Sequence, residues 1–197
     1  GIVTSGCEPD TWDYLLKLLK NNFYIVSTDS YGPDGIPSVK IDDFEGGRMA
    51  AAHLAGLGHR NILYFNPRRA YNLRREGFQQ ELKDRALPAA FECSGENELY
   101  SVLRNSERPS AVFAYCDLDA IKVKTTVSEL KLKIPEDISL IGFDDNIYSA
   151  FPDISLTTLR PPKQEMGRKT MLMLLKMING EKTETCLLLK PKLIIRK

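Results

Sequence analysis

The sequence predicts an α/β fold in which parallel strands alternate with helices. Short runs of β-branched, aromatic and aliphatic residues recur along the 197-residue chain, and the segments between them carry apolar residues at helical spacing. Such alternation is typical of right-handed βαβ units, which cover both faces of a parallel sheet with helices. Ligands of these folds bind at the carboxyl ends of the strands.

The predicted elements follow in order along the chain. Strands are expected at Tyr24–Ser27, Ser38–Ile41, Asn61–Phe65, Ser110–Ala114, Ser139–Phe143 and Leu187–Ile195. Helices are expected around Trp12–Leu19, Met49–Leu57, Phe78–Arg85, Ala120–Leu130 and Met166–Ile178. Gly58 can end the second helix in a left-handed conformation, and Pro135 blocks a helix from continuing into the following strand.

Composition narrows the class of protein. Lys and Arg number 27 against 26 Asp and Glu, without a basic block, so the chain offers no nucleic-acid surface of its own. The apolar runs are far shorter than the roughly 20 residues that span a bilayer, and the N-terminus lacks a secretion signal, which favours a cytoplasmic protein. Four cysteines without a CxxC pair and two histidines are poor material for a metal site, and we expect no cofactor.

An enzyme is not expected. Doubly wound sheets host many chemistries, but the glycine-rich dinucleotide turn, the P-loop and the Gly-x-Ser-x-Gly nucleophile turn do not occur. His59 follows a predicted helix end and precedes Arg60, where a structural role is more plausible than that of a catalytic base.

Polar side chains follow three of the predicted strands. Arg74, Asp117 and Asp144 each come after a strand end, and such ends meet at one edge of a parallel sheet. Arginine donates directed hydrogen bonds, aspartate accepts from adjacent hydroxyls, and an aromatic ring can stack on a sugar face. The mixture suits a polyhydroxylated ligand.

Seven motifs follow one another over almost the whole chain. They are Asp42–Gly47 leading to Leu57–Ile62, Arg74–Phe78, Pro109–Ala114 with Asp117, Ile134–Asp145, Leu156–Leu159, Glu165–Gly167 and Leu193–Arg196. Each alone is weak, but in this order they resemble the LacI/GalR family of bacterial transcription regulators.

The resemblance implies a fold of two Rossmann-like lobes with parallel sheets, of the type I periplasmic-binding-protein kind, with an effector bound between them. Residues 1–58 and 163–187 would form the N-terminal lobe, and residues 59–162 and 188–197 the C-terminal lobe. Family members carry a DNA-binding domain and two further strand-helix units before the position that matches Gly1. We therefore expect a truncated first lobe and no DNA-binding domain in this chain.

The resemblance also implies an effector-binding and dimerisation domain of a transcription regulator. The expected partners are a sugar, sugar phosphate or purine, operator DNA through a separate N-terminal domain, and a second copy in a homodimer, without a membrane. Effector binding would shift lobe closure and thereby operator affinity. The alternative is an exported sugar-binding protein of a transport system, which shares the two-lobed fold.

Site residues are assigned by the same resemblance. Arg74 and Asp144 are the first candidates for effector contact, and Asp117, Cys116, Tyr115 and Phe143 complete the site. Asp117 also suits a helix N-terminus, through its charge and capping oxygens. The chain departs from the family at Cys116, where an asparagine is more common, and the thiol lacks that amide's donor and acceptor. Tyr71 and Tyr148 are further stacking candidates, and Asp145 is assigned to the turn after the strand.

Overall fold

The computed structural model describes residues 1–6, 9–28, 35–67 and 73–196. The elements, in chain order, are β1 (Ile2–Ser5), α1 (Pro9–Lys20), β2 (Ile25–Thr28), β3 (Ser38–Ile41), α2 (Asp43–Gly56), β4 (Ile62–Phe65), α3 (Leu73–Asp84), β5 (Phe91–Cys93), α4 (Glu96–Arg104), β6 (Ala111–Ala114), α5 (Asp117–Glu129), β7 (Ser139–Phe143), a 3₁₀ helix (Ile147–Ala150), β8 (Thr157–Arg160), α6 (Lys163–Ile178), β9 (Cys186–Leu189) and β10 (Lys192–Ile194). The predicted α/β class is confirmed. Across the described ranges, every helix is too short or too polar to cross a membrane.

The chain divides into two compact units. The first comprises Gly1–Asp42 and Pro162–Lys190, and the second comprises Asp43–Pro161 and Pro191–Lys197. In the first unit the strands lie in the order β1-β2-β3-β9, and each neighbouring pair is parallel. The apolar face of α1 contributes Trp12 and Leu15 to a core cluster with Ile25 of β2.

The second unit has a six-stranded sheet in the order β10-β8-β7-β6-β4-β5. All neighbouring pairs are parallel except β10 with β8, which is antiparallel. Strands β4 and β6 lie inside the sheet and are buried along their whole length, as their unbroken apolar sequences require. Because these strands are parallel, their carboxyl ends open onto one edge.

The prediction of one strand over Leu187–Ile195 is wrong. The segment forms two strands, of which β9 pairs with β3 in the first unit and β10 pairs with β8 in the second. Lys190 and Pro191 separate them. Proline has no backbone N–H to donate to a ladder, so a strand is readily interrupted there.

Helices α2 and α3 cross at backbone contact in the second unit. A Cβ atom built on Gly47 would lie 1.9 Å from the carbonyl oxygen of Arg74, and one built on Gly77 would lie 1.9 Å from that of Phe44. Side chains at either glycine are therefore excluded. This packing places α2 in the second compact unit, which begins at Asp43; the resemblance implies an N-terminal lobe that includes residues 1–58.

His59 ties together the amino-terminal edge of the second sheet. Its ring nitrogens lie 2.8 Å from Ser110 Oγ, just before β6, and 2.9 Å from Ser139 Oγ, at the start of β7. Burial, with a smaller contribution from His53, lowers the pKa of His59. The neutral ring thus joins two strand starts, which supports the structural role expected for it.

Alanine substitution tests the crossing of α2 and α3. We expect Gly47→Ala and Gly77→Ala each to lower the free energy of unfolding by about 1–3 kcal/mol or more, because the helices must separate. Gly56→Ala is the control in the same helix, since a Cβ there meets nothing within 4 Å. Urea unfolding measures the three variants, and equal stability of Gly47→Ala and Gly56→Ala would contradict the packing described.

Candidate functional site

The carboxyl edge of the second sheet gathers Arg74 with residues from the ends of β6 and β7. Arg74 is in the first turn of α3 and is buried, with 7% of its surface exposed. The centre of its guanidinium lies 3.6 Å from the centroid of the Phe143 ring and 4.6 Å from that of Tyr115. The two rings fix the guanidinium by cation–π contact.

A carboxylate and a backbone carbonyl fix the same guanidinium. Arg74 Nε donates to Asp43 Oδ1 over 2.7 Å, and Nη1 donates to the carbonyl oxygen of Tyr115 over 2.7 Å. Burial alone would lower the pKa of Arg74, but the charge of Asp43, its hydrogen bond and the charge of Asp144 raise it. Arg74 is therefore a charged, immobilised donor at the sheet edge.

Asp144 directly follows β7 in an uncommon backbone conformation. Its φ is 112°, a region in which non-glycine residues are strained by about 1–3 kcal/mol and which is enriched at functional sites. Its N–H donates to the carbonyl oxygen of Leu159 over 2.8 Å, which anchors the turn to β8. Its charge acts on Arg74, so the two leading candidates lie in one electrostatic neighbourhood.

Asp145 has a different role. Its carboxylate accepts hydrogen bonds from Arg160 Nε and, over 2.7 Å, from Arg196 Nη2. Burial would raise the pKa of Asp145, but the hydrogen bonds and charges of the two arginines lower it. The residue joins the turn to β8 and to the C-terminal segment, as assigned from the sequence.

Asp117 directs its carboxylate inward. The residue is 1% exposed. One carboxylate oxygen accepts the N–H of Asn146 over 2.7 Å and the hydroxyl of Ser149 over 2.5 Å, and the other accepts the hydroxyl of Thr158 over 2.5 Å. A Cβ atom on Gly142 would lie 2.5 Å from Asp117 Oδ1, which explains glycine there. These internal bonds make Asp117 a structural anchor of the loop after β7.

Cys116 precedes α5 and also has an internal partner. Its thiol donates to Asp119 Oδ2 over 3.1 Å, and both residues are buried. Burial is the main cause that raises the pKa of Cys116 to about 11, so the thiol is protonated near neutral pH. An uncharged thiol thus stands where the resemblance implies that an amide is more common.

The structure brings four of the six candidates together. Arg74, Tyr115 and Phe143 are in contact, and Asp144 follows Phe143 directly. Cys116 and Asp117 lie at the same edge, but their side chains form hydrogen bonds with residues inside the fold. The partner Asp43 was missed as a site residue, although it stands within the motif Asp42–Gly47.

Tyr148 and Tyr71 are the two further stacking candidates. Tyr148 makes an edge contact with Phe151, with ring centroids 6.1 Å apart. Tyr71 lies outside the described residues, as do the neighbouring Arg68 and Arg69. Within the described ranges, no group of three or more His, Cys, Asp or Glu side chains could hold a metal ion.

Comparison with known proteins identifies the family. Residues 51–197 match the model of the periplasmic binding protein-like domain. The arabinose metabolism transcriptional repressor of Geobacillus stearothermophilus is 31% identical over 190 residues, which are 88% of this chain and 52% of the repressor. The chain belongs to the LacI/GalR family. It spans about half the length of the curated LacI/GalR relatives it matches.

Solved LacI/GalR structures share the fold. A LacI-family regulatory protein from Chloroflexus aggregans superimposes with a TM-score of 0.86 at 28% identity, covering 98% of this chain and 74% of the other. A LacI-family regulator from Enterococcus faecium with bound ribose has a TM-score of 0.82 at 28% identity, covering 96% and 74%. The chain thus corresponds to part of the LacI/GalR periplasmic-binding-protein-like domain.

The anchoring role of Asp117 is testable by an isosteric change. We expect Asp117→Asn to lower the free energy of unfolding by about 1.5–3 kcal/mol, because an amide nitrogen would face a donor and the charged acceptor is lost. Asp153→Asn is the matched control, because Asp153 is an exposed aspartate in the loop after β7 that Asp117 anchors. Thermal and urea unfolding measure both variants. If Asp117→Asn left the free energy of unfolding unchanged, its carboxylate would not be needed for the fold.

Proposed function

We propose that this chain is the effector-binding part of a LacI/GalR transcription regulator and binds a sugar or related small molecule at the carboxyl edge of the second sheet. The observation that carries the proposal is the fixed guanidinium of Arg74 between the Tyr115 and Phe143 rings. Two of its five N–H groups are engaged by Asp43 and Tyr115, which leaves further donors for a ligand hydroxyl. Asp144 supplies the matching acceptor.

The names of relatives favour a sugar. One relative is a repressor of arabinose metabolism, and one structural neighbour contains bound ribose. A sugar phosphate or a purine remains in the test set. Asp117 and Cys116 are left out of the direct contacts, since their polar atoms already bond within the fold.

Regulation would follow from linkage. An effector that binds one conformation of the protein better than another shifts the equilibrium between them, and operator affinity changes with it. A coupling of about 1–3 kcal/mol changes affinity roughly 5- to 150-fold. Operator DNA would bind through a separate domain. Membership of the LacI/GalR family favours this function over a binding protein of a transport system.

A homodimer is part of the proposal. Ile147, Tyr148 and Phe151 are 72%, 47% and 48% exposed on and beside the 3₁₀ helix. Leu118, 49% exposed, adjoins Asp117, which anchors that helix through Ser149. Exposed aromatic and aliphatic side chains grouped in this way are typical of protein interfaces. A second copy of the chain is the partner proposed for this patch.

Ligand binding is tested by thermal shift and calorimetry against sugars, sugar phosphates and purines. Ligand at 100 times its Kd stabilises by about 2.7 kcal/mol, a readable shift. We expect one compound to bind, and Asp144→Asn and Arg74→Lys to weaken it by about tenfold or more, because each removes a directed hydrogen bond.

The neighbouring Arg75 provides the matched control. Its Nε donates to Glu92 at an exposed site, so Arg75→Ala should leave ligand affinity unchanged. Equal losses in Arg75→Ala and Arg74→Lys, or full affinity in Asp144→Asn, would overturn the assignment of the site. Failure of the folded parent to bind any compound would overturn the proposed function itself.

The dimer is tested by light scattering after size exclusion. We expect the double variant Ile147→Arg with Phe151→Arg to be monomeric at concentrations at which the parent is a dimer, because charged side chains would be buried at the interface. Phe91→Arg changes a 61% exposed aromatic elsewhere on the second unit and should leave the dimer intact. A dimer that survives the double variant would contradict this interface.

A further inference from the structure

A cavity lies at the amino-terminal edge of the second sheet, where β7 and β8 begin. Its volume is about 410 Å³, within the range of roughly 300–1,000 Å³ found for small-molecule sites. Ser139, the first residue of β7, and Thr157, the first of β8, line it. Phe143 and Asp144 stand at the other end of β7, so this amino-edge cavity is separate from the candidate effector site.

The walls of the amino-edge cavity are largely apolar. Leu54, Leu140 and Leu156 are buried at its base. Leu57, just after α2, and Ile195, after β10, also line it and are 60% and 66% exposed. A ligand that covers these exposed aliphatic side chains removes apolar surface from water, which favours binding. The cavity therefore favours a ligand with an apolar body.

Three backbone carbonyls and two hydroxyls around the cavity already have hydrogen-bond partners. Lys124 Nζ donates to the carbonyl oxygens of Asp153 and Ile154, and an Arg196 guanidinium nitrogen donates to the carbonyl oxygen of Leu156 over 2.9 Å. The hydroxyl of Ser139 bonds to His59. The hydroxyl of Thr157 bonds to the backbone of Arg196.

The donors are not exhausted by these bonds. Lysine has three N–H groups and arginine five, and the bonds of Lys124 and Arg196 use two on each. His53 also lines the cavity, and burial lowers its pKa. Of the described lining residues, Asp153 alone carries a carboxylate, against the cations Lys124 and Arg196, of which Arg196 is also paired with Asp145 outside the lining. The hydrogen-bonding capacity that remains therefore suits an acceptor with negative charge.

We propose that the amino-edge cavity is a second ligand site for a small amphipathic organic anion, with an apolar body against the leucines and one carboxylate toward Lys124 and Arg196. Helix α2 and strand β7 line it near one end and carry Asp43 and Phe143 at the other, and α5, which begins at Asp117, lines it through Lys124. A ligand in the cavity thus contacts the elements on which the candidate effector site is built. The proposal does not depend on the identity of the effector.

Octanoate is the probe, with octyltrimethylammonium as the cation of equal chain length. Calorimetry gives affinity, and amide chemical shifts in nitrogen-15 spectra give location. We expect octanoate to bind more tightly than the cation and to shift amides around His53, Lys124 and Thr157. Lys124→Gln should lower the affinity for octanoate by about fivefold, because it removes one charged hydrogen bond at a half-exposed site. Leu57→Glu should weaken it at least as much.

Two matched controls keep the test specific. Lys122→Gln removes an exposed charge from the same helix, and Phe91→Glu changes a side chain 61% exposed, as Leu57 is 60% exposed. Both should bind octanoate like the parent. Equal effects of Lys122→Gln and Lys124→Gln, equal binding of the cation, or shifts confined to the exposed apolar residues of α6 would overturn the proposal. The absence of octanoate binding below its critical micelle concentration would also overturn it. If Leu57→Glu fails to fold, Ile195→Glu is used in its place.

Discussion

The backbone contact between α2 and α3 is the constraint on which the candidate effector site depends. Gly47 and Gly77 let the helices approach, and Gly46 clears the Phe143 ring, which a Cβ there would meet at 2.7 Å. With the helices this close, Asp43 and Arg74, each in the first turn of its helix, lie 2.7 Å apart. This ion pair holds the Arg74 guanidinium against the ring of Phe143. The packing of the two helices thus sets the geometry of the candidate effector site.

Buried carboxylates hold this edge of the sheet in place. Asp43 holds a cation, whereas Asp117 holds one N–H and two hydroxyls that close the loop after β7. Burying a charge is costly, and such pairs are only weak contributors to net stability. They hold the side chains in fixed positions, because removal of one partner would leave the other buried and unpaired in a low-dielectric site. A site fixed in this way loses little side-chain entropy when a ligand binds.

The sequence alone predicts the fold class because apolar strands and helices alternate with distinct periods. It misses β1 and α4, and also β5, whose Phe91 and Glu92 are exposed, and β8, whose threonines do not form an apolar run. Arg74, Phe143 and Asp144 are predictable from motifs that end strands or begin helices. Asp43 is not, because its ion pair joins residues 31 positions apart and depends on the glycine contact of two helices. The inward bonds of Asp117 are likewise long-range, up to 41 positions, so no local pattern distinguishes its role.

The most direct measurement is a double-mutant cycle on the buried pair. Asp43→Asn, Arg74→Gln and the combined variant are compared with the parent by urea unfolding. If the crossing of α2 and α3 builds the site through this pair, the interaction free energy is about 2 kcal/mol, within the range for contacting residues. Additivity within about 0.5 kcal/mol would contradict the account, since it is the behaviour of independent sites.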